Sequence, residues 1–134
     1  MSEANVEMAR RGYEAFNRGD IDGAVADFAP DFEYVVAAGG LPGFGEVARG
    51  RKGFRRFVET FWREFDKPNI EVHELIDAGD RVVASTTMRG RGKHSGAETS
   101  LDLWVVWTER NGAVVRAQEF ESRAEALEAA GLSE

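Results

Sequence analysis

The sequence contains no cysteine and only two histidines among its 134 residues. The lack of cysteine excludes disulfides, thiol catalysis and cysteine-ligated metal sites. His73 stands in a strand-like stretch without a matched partner, and His94 lies in a basic turn, so no metal-ligand spacing is present. We therefore expect no metal and no cofactor. Any catalysis then falls to carboxylates and tyrosines.

Long apolar runs and positive charge are also scarce. No stretch approaches the roughly 18 apolar residues of a membrane-spanning helix. The first residues show no basic start followed by an apolar run, as a signal peptide would. The net charge is −7, from 24 acidic and 17 basic residues, which argues against nucleic-acid and anionic-membrane partners. We expect a cytoplasmic protein with neither kind of partner.

Aromatic and aliphatic residues are plentiful enough for a folded core. Hydrophobic residues make up 43% of the chain, with nine Phe, three Trp and two Tyr. A disordered chain has far fewer aromatic residues. The length fits one domain. We therefore predict a single domain over residues 1–134.

Apolar residues at steps of three and four predict two helices at the start of the chain. The first is capped by Ser2 and ends at 17–19, where a glycine suits a left-handed C-terminal position. Asp20 caps a second, shorter helix that carries apolar residues as far as Phe28. Residues 29–31 end it, because proline disfavours helical geometry in the residue before it.

The middle of the chain combines a short strand, a glycine-rich loop and an aromatic helix. Residues 32–36 are β-prone, and 37–49 read as a long loop of the kind that often carries function. A helix with phenylalanines at helical spacing follows Gly50 and ends at 66–69. Leu41, Phe44 and Val47 of the loop are candidates for a flap over a ligand.

The second half of the chain reads as β-strands joined by tight turns. Asn111-Gly112 is a strong hairpin signal because both residues tolerate positive φ. Residues 122–125 form a capping box that opens a last helix. Helices first and consecutive hairpins afterwards indicate an α+β fold, with helices covering one face of a curved sheet. The predicted strands span residues 70–76, 81–89, 98–108 and 113–121.

The strand at 98–108 is apolar on both of its alternating rows. A sheet face open to water would show polar residues on one row. We therefore expect both faces to be covered, one by the helices and the other by a second subunit.

Six short motifs carry a resemblance to a known family, and together they span nearly the whole chain. They are AFNRGDI (15–21), FAPDFE (28–33), GRKG (50–53), DAGDRVV (77–83), WTERNGAVV (107–115) and EALEAAG (125–131). With them the chain resembles the SnoaL-like proteins of the nuclear transport factor two-like superfamily. The resemblance implies a cone: a strongly bent antiparallel sheet that wraps around three helices and encloses a pocket, with dimers formed through its outer face.

The same resemblance speaks against one activity of the superfamily. The ketosteroid isomerases use an Asp base with a Tyr and a protonated Asp as oxyanion hole. Alignment puts the Tyr position on Gly12, the base on Val36 and the second Asp on Trp104. Tyr13 is one step away on the helix, roughly 100° from the required direction.

SnoaL-type polyketide cyclases instead use one acidic residue in the pocket. The alignment directs the row of Asp102 into the pocket, together with Glu119 and Glu121. A carboxylate in an apolar cavity is desolvated, which raises its pKa towards a useful range for proton transfer. Asp102 is the leading catalytic candidate, Glu119 the second and Glu121 the third. The alternatives are a solvated Glu121 and an Asp102 that pairs with Arg89.

Other residues receive roles in ligand binding and in assembly. Tyr34 would face the cavity, either as a further catalytic residue that donates a hydrogen bond to a substrate carbonyl or as a core tyrosine with its hydroxyl satisfied locally. The predicted ligand-binding residues are Phe16, Val36, Phe57, Phe61, Trp104, Val106, Ala117 and Glu121. The predicted homodimer face consists of Leu101, Leu103, Val105, Trp107 and Phe120.

Three functions follow from the resemblance. The first is cofactor-free acid/base catalysis of the cyclase or isomerase kind on a small, apolar, oxygenated molecule. The second is a non-catalytic module that binds an apolar ligand or a protein. The third is epoxide hydrolysis, which requires an Asp–Arg–Asp set; Arg89, Arg116 and Asp102 are available, but no second inward Asp is identifiable.

Overall fold

The structure, a computed structural model, describes residues 3–37 and 47–132. Four helices and six strands lie in these ranges. The helices are α1 (Glu3–Asn17), α2 (Ile21–Ala24), α3 (Gly50–Glu64) and α4 (Arg123–Ala129). The strands are β1 (Phe28–Val35), β2 (Val47–Arg49), β3 (Phe65–Asp77), β4 (Arg81–Gly92), β5 (Glu98–Arg110) and β6 (Ala113–Phe120).

The six strands form one curled, unclosed sheet in the order β2-β1-β6-β5-β4-β3. Hairpins connect β3 with β4, β4 with β5 and β5 with β6, so each of these three pairs is antiparallel. The β1–β6 ladder is parallel, with Tyr34 opposite Ala117. The predicted α+β fold, with a curved sheet around helices of the N-terminal half, is confirmed. None of the helices in the described ranges is long and apolar enough to cross a membrane.

Two predicted element boundaries are wrong, and tertiary contacts explain both. The second helix ends at Ala24, and Phe28 already belongs to β1, where its ring stacks on Phe32 with centroids 4.0 Å apart. Residues 66–69, taken as a helix end, lie inside β3, because Phe65 already pairs with Gly92 of the next strand. Long-range pairing overrides local preference at both places.

A short strand that the sequence did not predict completes one sheet edge. Val47, read as part of the loop and flap, begins β2 and pairs with Val35 in an antiparallel ladder. Leu41 and Phe44 lie outside the described residues, so the flap remains a prediction.

The main core lies on the concave side of the sheet, beneath α1 and α3. Phe32 is fully buried there, and its ring meets those of Phe28, Phe54 and Trp107 at 4.0, 5.5 and 6.5 Å. Val58 of α3 is also almost fully buried. These contacts fix the helices against the sheet and shape the space between them.

A second, smaller core lies on the outer side of the sheet, where α4 packs. Ala126, Leu127 and Ala130 cover Val83 and Val106 of the central strands. Trp104 and Phe120 pack at the margin of this cluster. Ser122 caps α4 by accepting the Glu125 N–H at 3.2 Å, as its capping box predicts.

The predicted facing of β5 is therefore wrong. Leu103, Val105 and Trp107 belong to the concave core, whereas Trp104 and Val106 face outwards. Side chains alternate along a strand, so a one-residue error in facing exchanges the two complete rows. The outer row is apolar because α4 of the same chain covers it, and a second subunit is not needed to explain it.

This correction also affects the predicted dimer face. Leu101, Leu103, Val105 and Trp107 contribute to the cavity described below. Phe120 alone of that set lies on the outer side. The homodimer itself stays a prediction.

Helix α1 is tied to the edge strand β3 by one side chain. The Asn17 amide nitrogen donates to the Ile70 carbonyl at 2.8 Å, and the Ile70 N–H donates to the Asn17 amide oxygen at 2.7 Å. One asparagine thus satisfies both backbone groups of a residue in the outermost strand.

Candidate functional site

A cavity of about 470 Å³ lies between α1, α3 and the concave face of the sheet. Its volume falls in the range of small-molecule sites. Aliphatic side chains, Met8 and Met88 among them, fill the spaces between its aromatic walls. The rings that line it belong to Tyr13, Phe16, Phe28, Tyr34, Phe54, Phe57, Phe61, Phe65 and Trp107.

Glu119 of β6 places a carboxylate among these rings. Its Oε2 accepts a hydrogen bond from the Tyr34 hydroxyl at 2.6 Å, and its Oε1 accepts one from the Ala37 N–H at 3.0 Å. Burial raises the pKa of Glu119 above the ordinary carboxyl value, while these two donors act in the opposite direction. Tyr34 and Glu119 are 85 residues apart in the sequence, and the parallel β1–β6 ladder brings them into contact.

Tyr34 has no freedom to act as an acid or base near neutral pH. Burial first, and then the negative charge of Glu119, raise the pKa of Tyr34 well above its usual value. It therefore stays protonated and donates to Glu119. Each carboxylate oxygen offers two lone pairs, so Glu119 keeps capacity on both oxygens to accept a proton from a ligand.

Tyr13 is a second polar group in the wall, and setting it aside in the sequence analysis because of its direction on the helix was wrong. Its hydroxyl oxygen accepts a hydrogen bond from the Trp107 indole N–H at 2.9 Å, with the two rings perpendicular. Burial raises the pKa of Tyr13, so its O–H remains a donor, and we find no acceptor for it among the described residues. The signal was present: Tyr13 lies on the apolar face of the first helix, with Phe16.

Asp102, the leading candidate from the sequence, is not directed into the cavity. It is exposed at the rim, and its carboxylate accepts a hydrogen bond from Thr87 at 2.7 Å. His73 contacts the same Thr87 hydroxyl at 2.7 Å. These three side chains lie on the outer side of the sheet, because side chains alternate along a strand and Leu103, next to Asp102, belongs to the concave core. The alternative pairing with Arg89 is also wrong, since Arg89 binds Glu71 at 3.2 Å.

The predicted ligand-binding residues divide between the two sides of the sheet. The prediction is wrong for Trp104 and Val106, because both lie on the outer side of the sheet, beneath or beside α4. Ala117 faces inwards but is fully buried in the core. The remaining five line the cavity, and they are Phe16, Val36, Phe57, Phe61 and Glu121. Glu121 is exposed, at the end of its strand.

The Asp–Arg–Asp set of an epoxide hydrolase is not assembled by the candidate residues. Arg116 binds Glu33 at 3.2 Å, and Arg89 is held by Glu71 on the outer side. In the part of the chain that the structure describes, no group of three histidine, aspartate or glutamate side chains is placed to hold a metal ion.

Tyr34→Phe is expected to raise the pKa of Glu119 further. The variant removes a hydrogen bond that lowers this pKa, while the phenyl ring preserves the packing against Phe54 and Phe57. The titration of the Glu119 carboxyl carbon, followed by NMR with labelled glutamate, measures the shift. An unchanged or lower pKa would show that the Tyr34 bond does not stabilise the carboxylate.

Comparisons with known proteins agree on the fold. Residues 9–117 match the family model of the SnoaL-like domain. An NTF2-like protein of unknown function from Burkholderia pseudomallei K96243 is 28% identical, with 92% of this chain and 95% of that chain covered and a TM-score of 0.78. TerC, crystallised with polyporic acid, is 27% identical, with 95% and 98% covered and a TM-score of 0.77.

A structure with lower sequence identity is also described as SnoaL-like. A putative SnoaL-like polyketide cyclase from Jannaschia sp. CCS1 is 18% identical, with 87% of this chain and 83% of that chain covered and a TM-score of 0.74. A search of curated protein sequences finds no match.

Proposed function

The chain belongs to the SnoaL-like domain family, and we propose that it is a cofactor-free enzyme that uses Glu119 as acid and base on a small, largely apolar, oxygenated molecule. Its reaction is of the cyclase or isomerase kind. The observation that carries the proposal is a hydrogen-bonded carboxylate in an aromatic cavity of about 470 Å³. Active sites are where burial shifts the pKa of such groups.

The chemistry begins with proton abstraction. Glu119 removes a proton from a carbon next to a carbonyl group, and the electron pair of that C–H bond moves onto the carbonyl oxygen. The Tyr13 O–H, polarised by the Trp107 N–H, donates a hydrogen bond to the developing negative oxygen. The negative charge thus moves from the carboxylate to a position that faces a donor.

Two outcomes then regenerate the site. In an isomerisation, Glu119 returns the proton to a different carbon of the same molecule. In a ring closure, the enolate carbon attacks a second carbonyl, and the proton on Glu119 passes to the new alkoxide. Both routes leave Glu119 ionised, and neither requires a cofactor.

The comparisons support the proposal at two levels. The likeness to the putative polyketide cyclase supports the fold alone. TerC is more similar in sequence, and its crystallisation with polyporic acid shows that a protein of this fold was studied with a small organic ligand. By analogy with TerC, we expect the cavity of this chain to accommodate a small organic molecule.

The test is proton exchange at carbon, which does not require the natural substrate. The protein is incubated with α-tetralone or β-tetralone in D₂O, and the loss of the C–H signal beside the carbonyl is followed by proton NMR. We expect exchange faster than in buffer alone. Binding of both ketones without any exchange above buffer would contradict the proposal.

A non-catalytic binding module is the second candidate. The observation that favours it is that two groups of the chain itself, the Tyr34 hydroxyl and the Ala37 N–H, already hydrogen-bond Glu119, so the carboxylate can hold a ligand in place without transferring a proton. The same experiment separates the two functions, because a binding module takes up the ketones without exchanging their protons.

A further inference from the structure

The charged side chains that line the cavity all have the same sign. Carboxylates occur in its interior and at its rim, and the described lining includes no lysine, arginine or histidine. Residues 1–2, 38–46 and 133–134, which the structure does not describe, contain none of these three residue types either. The acidic lining residues are Asp27, Glu109, Glu119 and Glu121, and Asp102 borders the rim with its carboxylate on the outer side of the sheet. Asp27 has a cationic partner outside the lining, Arg11 at 3.5 Å.

Glu119 is the acid whose hydrogen bonds lie inside the cavity wall. Among the described residues, no cationic side chain lies within ion-pair distance of its carboxylate. Its two hydrogen bonds come from neutral donors, the Tyr34 hydroxyl and the Ala37 N–H. An ionised carboxylate that loses water without gaining an opposite charge is costly. A ligand with a positive charge removes that cost on binding.

The aromatic rings of the cavity lining, among them Tyr34 that donates to Glu119, favour the same kind of ligand. The centroid of Tyr34 lies 5.0 Å from that of Phe54, 5.3 Å from that of Phe57 and 6.1 Å from that of Trp107. The face of an aromatic ring is electronegative and attracts cations. An anionic ligand would meet both the carboxylate and these faces unfavourably.

We propose that the cavity binds hydrophobic amines in their protonated form, with the nitrogen against Glu119 and the apolar part among the rings. The inference rests on the proposed function, because it uses the same cavity and the same carboxylate, and it specifies the class of substrate. The two roles are compatible, because the ammonium group keeps its protons and donates hydrogen bonds to Glu119, and each carboxylate oxygen has a lone pair beyond the one used by Tyr34 or Ala37.

Three molecules of almost equal shape test the charge preference. Biphenylmethylamine, biphenylmethanol and biphenylcarboxylate are titrated into the protein at neutral pH by calorimetry. The amine is expected to bind about tenfold tighter than the alcohol, or more, and the carboxylate more weakly than either. Equal or tighter binding of the alcohol would overturn the inference, and so would tighter binding of the carboxylate.

A pair of variants tests whether Glu119 is the responsible group. Glu119→Gln is expected to abolish the preference for the amine over the alcohol, with circular dichroism as the check on folding. Glu128→Gln removes an exposed acid of α4, outside the cavity lining, and is expected to keep the preference. Loss of the preference in Glu128→Gln alone, or its persistence in Glu119→Gln, would overturn the assignment.

The outcome is independent of the proton-exchange test. If the alcohol binds as well as the amine while the tetralones exchange, the ligand class is wrong and the proposed function stands. If the amine is preferred and no ketone exchanges, the binding site stands and the acid/base role is wrong. If none of the three biphenyl compounds binds to the folded protein, the inference is overturned.

Discussion

Glu119→Gln is expected to lower the rate of tetralone exchange by about 10²–10⁴-fold, the usual contribution of a positioned acid or base. The amide has the same shape and still offers an oxygen to Ala37 and a donor to Tyr34, so the cavity is preserved. What it lacks is a site that accepts a proton. The measurement is the proton NMR assay, with binding of the ketone checked separately.

Asp102→Asn is the matched control for this experiment. Its carboxylate accepts from Thr87 on the outer side of the sheet. The substitution leaves Glu119 in place, so the exchange rate is expected to stay within about twofold of the unaltered protein, a change of less than about 0.5 kcal/mol in the barrier. A large loss in Asp102→Asn with full activity in Glu119→Gln would transfer the acid/base role to Asp102.

The raised pKa of Glu119 gives the same variant a signature in stability. Because its folded-state pKa is raised, the folded protein retains the proton over a pH range in which the unfolded chain has released it. Stability therefore falls as pH rises from the ordinary carboxyl pKa, about 4.3, through the raised value. Glu119→Gln removes this fall. Urea unfolding at acidic and neutral pH should show the variant gaining stability relative to the unaltered protein as pH rises.

Phe32→Ala is expected to lower the free energy of unfolding by about 3–5 kcal/mol, as large-to-small substitutions at fully buried aromatic positions do. Phe32 has no exposed surface, and its ring packs against Phe28, Phe54 and Trp107. Domains of this kind have about 5–15 kcal/mol in total, so the loss is a large share. Urea denaturation measures it.

Phe120→Ala provides the comparison, because its ring is only half-buried on the outer side of the sheet. Its cost is expected to be clearly smaller than that of Phe32→Ala, in proportion to the apolar area that it buries. Equal costs would show that the concave core is not tighter than the α4 cluster.

Local sequence patterns predicted most helices and strands correctly, but they did not predict which face of a strand points into the core. The phenylalanine spacing of α3 and the Asn-Gly turn each have a short-range physical cause. The facing of β5 has none, because both of its rows are apolar and no polar row identifies the solvent side. The capping box predicted that α4 exists, but its packing against Val106 depends on a contact across the sheet.

The sequence predicted the two main residues of the site but not the contact between them. Glu119 and Tyr34 were both candidates, with inward directions taken from the resemblance. Their contact was not predicted, because it depends on a parallel ladder between strands far apart in the chain. Asp102 was preferred to Glu119 only through the reversed facing of β5.

The Asn17 clamp on β3 has a consequence for self-association. The outermost strand of an open sheet presents unpaired N–H and C=O groups, on which a strand of another molecule can add and begin an aggregate. At Ile70 both groups are already occupied by the Asn17 amide. Pro68, two residues earlier, has no N–H to offer, and Lys67 adopts a left-handed conformation that interrupts a regular edge. The chain thereby protects the exposed border of its sheet against fibril-like growth at the place where the helix meets the strand.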